Sequence, residues 1–261
     1  MHAAGLAVVV VKPAQVKYFG VACLRRSKND AADAVLIARY GLECRPVPER
    51  PLSEAERALK ALVREREARV GDLTREKNRL EKAQAGGQAG LPEALRRQRR
   101  VRLRQLQAHL DELDAAVAAQ LQADPALQAQ AALLTSIPGV GTLTAAKLLA
   151  VLAGKAFEDG RQRVAYAGLN PAHHQSGTHR GTTTLSKVGN AFLRKALFMP
   201  AAVARRYCPA LRTWAETLAS RGLKPLQVRG AVMRKLLLAA FAVLKHCTPF
   251  DPTKLCLAKT P

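Results

Sequence analysis

The sequence is short of aromatic residues, of acids and of long apolar runs. Aromatics make up only 4% of the 261 residues, so packing falls to Ala, Leu and Val, a mix that favours helices joined through aliphatic side chains. The longest apolar runs, residues 6–11 and 236–244, fall well short of the roughly 20 residues that span a bilayer. With no signal-peptide pattern either, the expectation is a soluble cytoplasmic protein with no membrane partner. Five cysteines (Cys23, Cys44, Cys208, Cys247 and Cys256) contain no CxxC pair and no histidine at zinc spacing. In a chain this long they read as reduced thiols rather than disulfide staples. Acids number 20 against 42 Lys and Arg, a net charge of +22. The excess is uneven: from Pro171 onward there are fifteen bases and two acids, Glu216 and Asp251. A field of one sign this strong points to a polyanion, nucleic acid first and anionic membrane second.

What is present is mostly helical pattern. Residues 5–11 are an exception, an unbroken β-branched run that reads as a strand buried on both faces of a sheet. No second run like it follows, so its sheet partners are expected from another chain or from sequence upstream of Met1. A short helix over 14–21 leads to a basic stretch at 25–28, then to a helix opening at Asn29 and Asp30. Three prolines in 45–51 mark a linker. Residues 52–82 form a long charged helix, broken by glycines at 86, 87 and 90. In the next helix Leu103, Leu106, Leu110, Leu113, Val117 and Leu121 alternate spacings of three and four, the seam of a coiled coil. The two helices form an antiparallel hairpin or half of an intermolecular bundle. Further on, 127–154 reads as helix–hairpin–helix, 173–184 as a polar loop, and 190–206, 209–221 and 225–246 as helices. The fold class is mainly α with a partial α/β N-terminus, in three parts: 1–48, 52–124 and 127–261.

Three constellations carry chemistry. Ile137, Pro138, Gly139, Val140 and Gly141 between two helices match a helix-hairpin-helix element, whose glycines allow a tight turn and whose helix N-terminal amides face a phosphate. Lys147 adds a charge. The plainer reading is an αα-turn needing glycine. Asp30 and Asp33, one helical turn apart, can share a divalent cation through oxygen. They equally suit a helix start, with Ser27 and Asp30 as a capping pair. The third is the stretch with His173, His174, Ser176, Gly177, His179 and Arg180, followed by Ser186, Lys187 and Arg194. A serine among cationic groups suits nucleophilic attack on phosphorus. The alternative is a surface loop with Ser186 as a helix cap.

Taken in order, these pieces resemble the insertion-sequence one-ten transposases, the family that includes the Piv-type DNA invertases. The resemblance runs through Val10 to Lys17, Lys28 to Ala34, Leu134 to Gly141, Ala165 to Pro171, Ser176 with Gly177, Ser186 to Asn190, Leu193 with Arg194, and Arg234 to Leu236, covering nearly the whole chain. It implies a RuvC-like (RNase H-like) domain with an Asp-Glu-Asp-Asp metal site, then a coiled coil, then a C-terminal transposase domain. It implies that Asp30 and Asp33 are the last two carboxylates of that site, with Mg2+ as the expected ion. Ser176 is then the serine that links covalently to DNA, with Ser186 as second choice. Gly139, Gly141, Lys147, Arg180, Lys187 and Arg194 are the expected DNA contacts. DNA, a structured guide RNA and further copies of the chain, joined through the coiled coil, are the implied partners, at the nucleoid. The first Asp and the Glu of the family site lie ahead of Met1, so the chain is expected to be an N-terminally truncated member. The alternative is a nucleic-acid-binding protein without catalysis.

Overall fold

The computed structural model describes residues 6–24, 29–85, 92–157, 159–176 and 179–256, and their side chains except at 84, 85, 173–176, 179–183 and 256. The chain divides into two compact units, Met1–Leu52 with Gly154–Ala156, and Ser53–Ala153 with Phe157–Pro261.

In the first unit, α1 (Pro13–Ala22) and α2 (Asp30–Cys44) pack together. Phe19 meets Tyr40 edge-on, with ring centroids 5.5 Å apart. Proline at the first position of α1 suits a helix start, where its missing N–H has no partner to lose. Asn29 caps α2, its side-chain oxygen accepting from the Ala32 amide at 2.7 Å. That replaces the cap expected from Ser27, which lies outside the described residues. Residues 6–12 are not a strand. Val8 accepts one backbone bond, from the Glu49 amide at 3.0 Å, while Leu6 and Val10 are exposed. β-branched residues favour a strand only where a neighbouring strand completes the ladder, and none does so among the described residues. The proline-rich stretch is tied down: the Arg50 amide donates to the Gly154 carbonyl, and Glu49 pairs with Lys155.

The second unit begins with the expected hairpin. A capping box opens α3 (Glu54–Ala85): Ser53 Oγ accepts from the Glu56 amide and Glu56 from the Ser53 amide. In α4 (Glu93–Ala123), Leu106, Leu110, Val117 and Leu121 of the sequence seam are buried. α4 packs along α3 of the same chain, whose Leu59 and Val63 are also buried. The body follows as α5 (Pro125–Thr135), α6 (Thr142–Leu152), α7 (Gly160–Ala167), α8 (Ala191–Tyr207), α9 (Pro209–Ser220), α10 (Pro225–His246) and α11 (Pro252–Cys256). Its centre is aliphatic, with Leu134, Leu148, Val164, Leu193, Leu197, Val232, Leu236 and Leu237 all buried. Each such side chain contributes about 1.5–3 kcal/mol on leaving water, and half-buried Tyr166, Phe192, Phe198 and Trp214 pack around this centre. No described helix is long and apolar enough to cross a membrane.

The polar stretch expected as a loop is instead a β-hairpin. β1 (Pro171–Ser176) pairs antiparallel with β2 (His179–Leu185), from Pro171 opposite Leu185 to Ser176 opposite His179, with an irregularity between His173 and Gln175. The consecutive threonines of β2 suit a strand, and two residues with a glycine between the strands suit a tight turn.

Candidate functional site

The hairpin is fixed at its base by a small set of backbone and side-chain bonds. α7 ends at Gly168, whose φ of +66° is the left-handed conformation that closes a helix. There the chain meets the segment that leaves β2. The Ser186 amide donates to the Asn170 carbonyl at 2.9 Å, the Lys187 amide to Gly168 at 3.2 Å, and the Asn190 amide to Tyr166 at 2.7 Å. Asn190 also caps α8 by accepting from the Leu193 amide, the role that sequence reasoning gave to Ser186. One turn on, Arg194 donates to the Ala167 carbonyl at 2.9 Å, completing the C-terminus of α7. Gly189 lies so close to the backbone of 166–168 that a Cβ there would come within 2.6 Å of the Tyr166 carbonyl. Leu185, the last residue of β2, seats on Gly230 of α10.

This places the candidate residues as follows. Ser176 and Arg180 are on the hairpin, Ser176 at the tip end of β1 and Arg180 opposite Gln175; their side chains lie outside the described residues. Ser186, Lys187 and Arg194 are at the hairpin base. Lys187 is exposed with φ +53°, and Arg194 is half-buried as a helix cap. Gly139 and Gly141 have different surroundings. Gly139 has φ +85°, and an added Cβ would meet the Pro200 carbonyl of α8 at 2.5 Å. Gly141 is exposed at the start of α6 with nothing within 4 Å of its Cβ position. Asp30 and Asp33 share the first turn of α2 in the other unit.

Lys147 is engaged by Glu67 of α3, a residue that sequence reasoning did not single out. The same carboxylate pairs with Lys195 of α8 at 3.0 Å. Burial alone would raise the Glu67 pKa. Hydrogen bonds and charge from the two lysines outweigh it and hold the carboxyl below its ordinary value. The one hint in the sequence was the lack of a basic residue three or four positions C-terminal to Glu67 on its own helix. Beside it Arg66 makes a two-pronged pair with Asp114 of α4, which raises the guanidinium pKa. Arg66, Glu67, Lys147, Lys187, Arg194 and Lys195 line one groove of about 570 Å³. Five cations and one carboxylate share this lining with apolar Val70, Phe198, Met199, Leu226 and Met233, and of the cations Lys187 and Lys195 are the exposed ones.

Metal ligation is less complete. Two carboxylates on one helical turn offer hard oxygen donors, but no group of three or more His, Cys, Asp or Glu gathers among the described residues. Magnesium takes near-octahedral oxygen ligation, so Asp30 and Asp33 fit as part of a larger set.

Related sequences place the chain in a family. Residues 131–216 match the family model described as "Transposase IS116/IS110/IS902 family", and residues 1–84 match the DEDD-type transposase model of IS110. Both define the class: a transposase. The chain is 33% identical to the pilin gene-inverting protein of Moraxella lacunata over 249 residues, which is 94% of this chain and 74% of that protein. The Moraxella bovis pilin gene-inverting protein is 32% identical over the same shares. An IS110 insertion-element protein of Streptomyces coelicolor is 33% identical over 53% of this chain and 34% of its own length. The chain belongs to the IS110 family of transposases.

Proposed function

We propose that this transposase cleaves and rejoins DNA strands through Ser176, presented at the tip of the hairpin. The observation that carries the reading is the clasp at the hairpin base. The family-like residues Tyr166, Gly168, Gly189, Asn190 and Arg194 are used there to hold two strands that end beside one serine. A hydroxyl attacking a phosphodiester needs such positioning, because orientation supplies much of the barrier reduction. The serine oxygen would form a bond to phosphorus as the bond to a deoxyribose oxygen breaks. The hydroxyl proton is lost and the leaving oxygen gains one. The bond energy is conserved in the serine ester, so the reverse attack rejoins strands.

The groove cations would neutralise phosphate charge and set the register of DNA without reading sequence. The open amides at Gly141 would add a contact of the helix-hairpin-helix kind, and Arg180 a cation near the serine. Asp30 and Asp33, with further oxygen ligands, would hold a divalent ion such as Mg2+, which supplies charge neutralisation at the reacting phosphate when bound. The N-terminal unit is read as part of a RuvC-like domain, and the α3–α4 hairpin as the coiled coil through which copies of the chain associate. The division into 1–48, 52–124 and 127–261 stands as a proposed functional division. A structured guide RNA is a proposed second partner, and the nucleoid the proposed site of action.

The test is trapping of the covalent link. Protein is incubated with Mg2+ and labelled DNA carrying the ends of its element, denatured, and digested for mass spectrometry of the DNA-bearing peptide. The modified residue should be Ser176, with the adduct lost in Ser176→Ala and kept in Ser186→Ala. An adduct that survives Ser176→Ala overturns the assignment.

A further inference from the structure

Four arginines converge where α8, α9 and α10 meet, away from the hairpin base. Arg205 and Arg206 come from the last turn of α8, Arg212 from α9 and Arg229 from α10, around a pocket of about 410 Å³ floored by Ala201 and Val232. One acid, Glu216, also lines it, yet none of the four guanidinium groups makes an ion pair among the described residues. Instead three of the four are held by other contacts. Arg229 lies over the Phe198 ring at 4.5 Å and Arg206 beside Tyr207 at 5.6 Å, while Arg212 donates to the Arg206 carbonyl. Arg66, by contrast, has Asp114, and Lys147 and Lys195 share Glu67. Four like charges left without such compensation repel one another, so the cluster is matched to an anion from outside.

We infer that Arg205, Arg206, Arg212 and Arg229 form a phosphodiester-binding pocket at the α8–α9–α10 junction, a second backbone contact beyond the hairpin-base groove. The planar guanidinium fork pairs two N–H groups with two phosphate oxygens, which a lysine cannot do. The aliphatic floor suits the sugar beside the phosphate. The two concavities are neighbours, since the Phe198 ring under Arg229 also lines the groove of Lys187 and Lys195. One strand passing along α8 would therefore meet both. This inference rests on the reading that the protein handles nucleic acid, and the phosphodiester can come from DNA or RNA.

The experiment is fluorescence anisotropy across a salt series with two probes, a mixed-sequence DNA duplex and a single-stranded RNA. Arg205→Ala/Arg206→Ala is compared with the wild type and with Arg161→Ala/Lys245→Ala, which removes equal charge from exposed positions elsewhere. The pocket variant should bind about tenfold or more weakly. Its salt slope should fall by roughly 0.9 per lost contact on the duplex or roughly 0.7 on the single strand. The control should change neither. A loss confined to one probe identifies the source of the phosphodiester. Arg229→Lys should keep the slope and lose affinity, because charge remains and the fork does not. Arg205→Gln alone carries the test should the double variant lose its helical circular dichroism. Equal losses in pocket and control variants, or an unchanged slope in the pocket variant, overturn the pocket while leaving nucleic-acid binding intact. A wild type that binds neither probe overturns both readings.

Discussion

Asn190 holds Tyr166 at two points: its backbone amide donates to the Tyr166 carbonyl at 2.7 Å, and its side-chain amide donates to the Tyr166 hydroxyl at 3.1 Å. The same side chain caps α8 through Leu193. Three bonds at one residue join the end of α7, the exit of the hairpin and the start of α8.

Replacing Asn190 by Ala should therefore cost more than a cap. A lost N-cap is worth about 0.5–2 kcal/mol, and the lost side-chain bond to Tyr166 adds roughly 1 kcal/mol. Asn190→Asp should keep the cap and let the Tyr166 hydroxyl donate to the carboxylate in place of the bond from the amide. Urea denaturation should rank wild type and Asp above Tyr166→Phe, which loses the side-chain bond alone, and Tyr166→Phe above Ala. If Ala proves as stable as the wild type, the clasp is incidental. Because the clasp acts on position, DNA-adduct yield should fall in the same order even where the protein is fully folded.

The two glycines of the 136–141 turn should separate sharply. At Gly139 a methyl group meets backbone atoms of Pro200 and Ala204 at 2.5 and 2.9 Å, and φ is +85°; neither the steric nor the torsional cost can be relieved by rotating a side chain. Gly139→Ala should destabilise by about 2–4 kcal/mol or prevent folding. Gly141→Ala, with open space around it, should change stability by less than about 1 kcal/mol and report instead on phosphate contact at the α6 N-terminus. Thermal melts distinguish the two, and equal shifts would contradict the packing described.

Glu67 gives a pH dependence with a definite sign. Its folded pKa is depressed below the ordinary 4.5, so its contribution is complete above that value. It is lost as pH falls through the lower, folded value. Glu67→Gln should be less stable than the wild type by about 1–3 kcal/mol at neutral pH, and the gap should close as pH falls through the depressed folded value. The same variant should bind DNA more tightly, since Lys147 and Lys195 lose their competing carboxylate. A stability gap independent of pH would show that shape, not charge, is what Glu67 contributes.

Removing divalent ions should divide binding from chemistry. With EDTA, anisotropy on DNA should persist, because the groove cations are independent of metal, while covalent adduct should disappear. Asp30→Asn and Asp33→Asn should each reproduce the EDTA result at a stability cost of about 0.3–1 kcal/mol, the value of an acid in a first helical turn. Undiminished adduct in both variants would remove the two aspartates from the reaction.

How far the sequence could be read depended on the range of the interactions involved. The long helices follow from periodicity, which is local: α8, α9 and α10 begin and end within a residue or so of the expected limits. The run at 6–11 failed because a strand is defined by its neighbours, and a hydrophobic pattern cannot say whether they exist. The 171–185 hairpin failed for the opposite reason. Its histidines, serine and glycines look like loop chemistry, while its pairing depends on strand register and on Leu185 seating on α10. Asp30 and Asp33 were singled out by spacing, and Lys187 and Arg194 by charge and resemblance; each remains a proposal for experiment. Glu67 was missed because its partners come from α6 and α8, far along the chain. The four arginines of the α8–α9–α10 pocket went unremarked because three separate helices bring them together.

Glu67 also has a mechanical meaning. It ties α3 to α6 and α8 near the middle of a 32-residue helix, leaving eighteen residues, or about 27 Å at 1.5 Å each, to run on toward Ala85. Those residues do not run on alone: α3 and α4 pack against each other, with Glu76 of α3 beside Arg102 of α4 at 3.9 Å. What continues past the anchored carboxylate is therefore a two-helix ribbon, and bending it means bending both helices together.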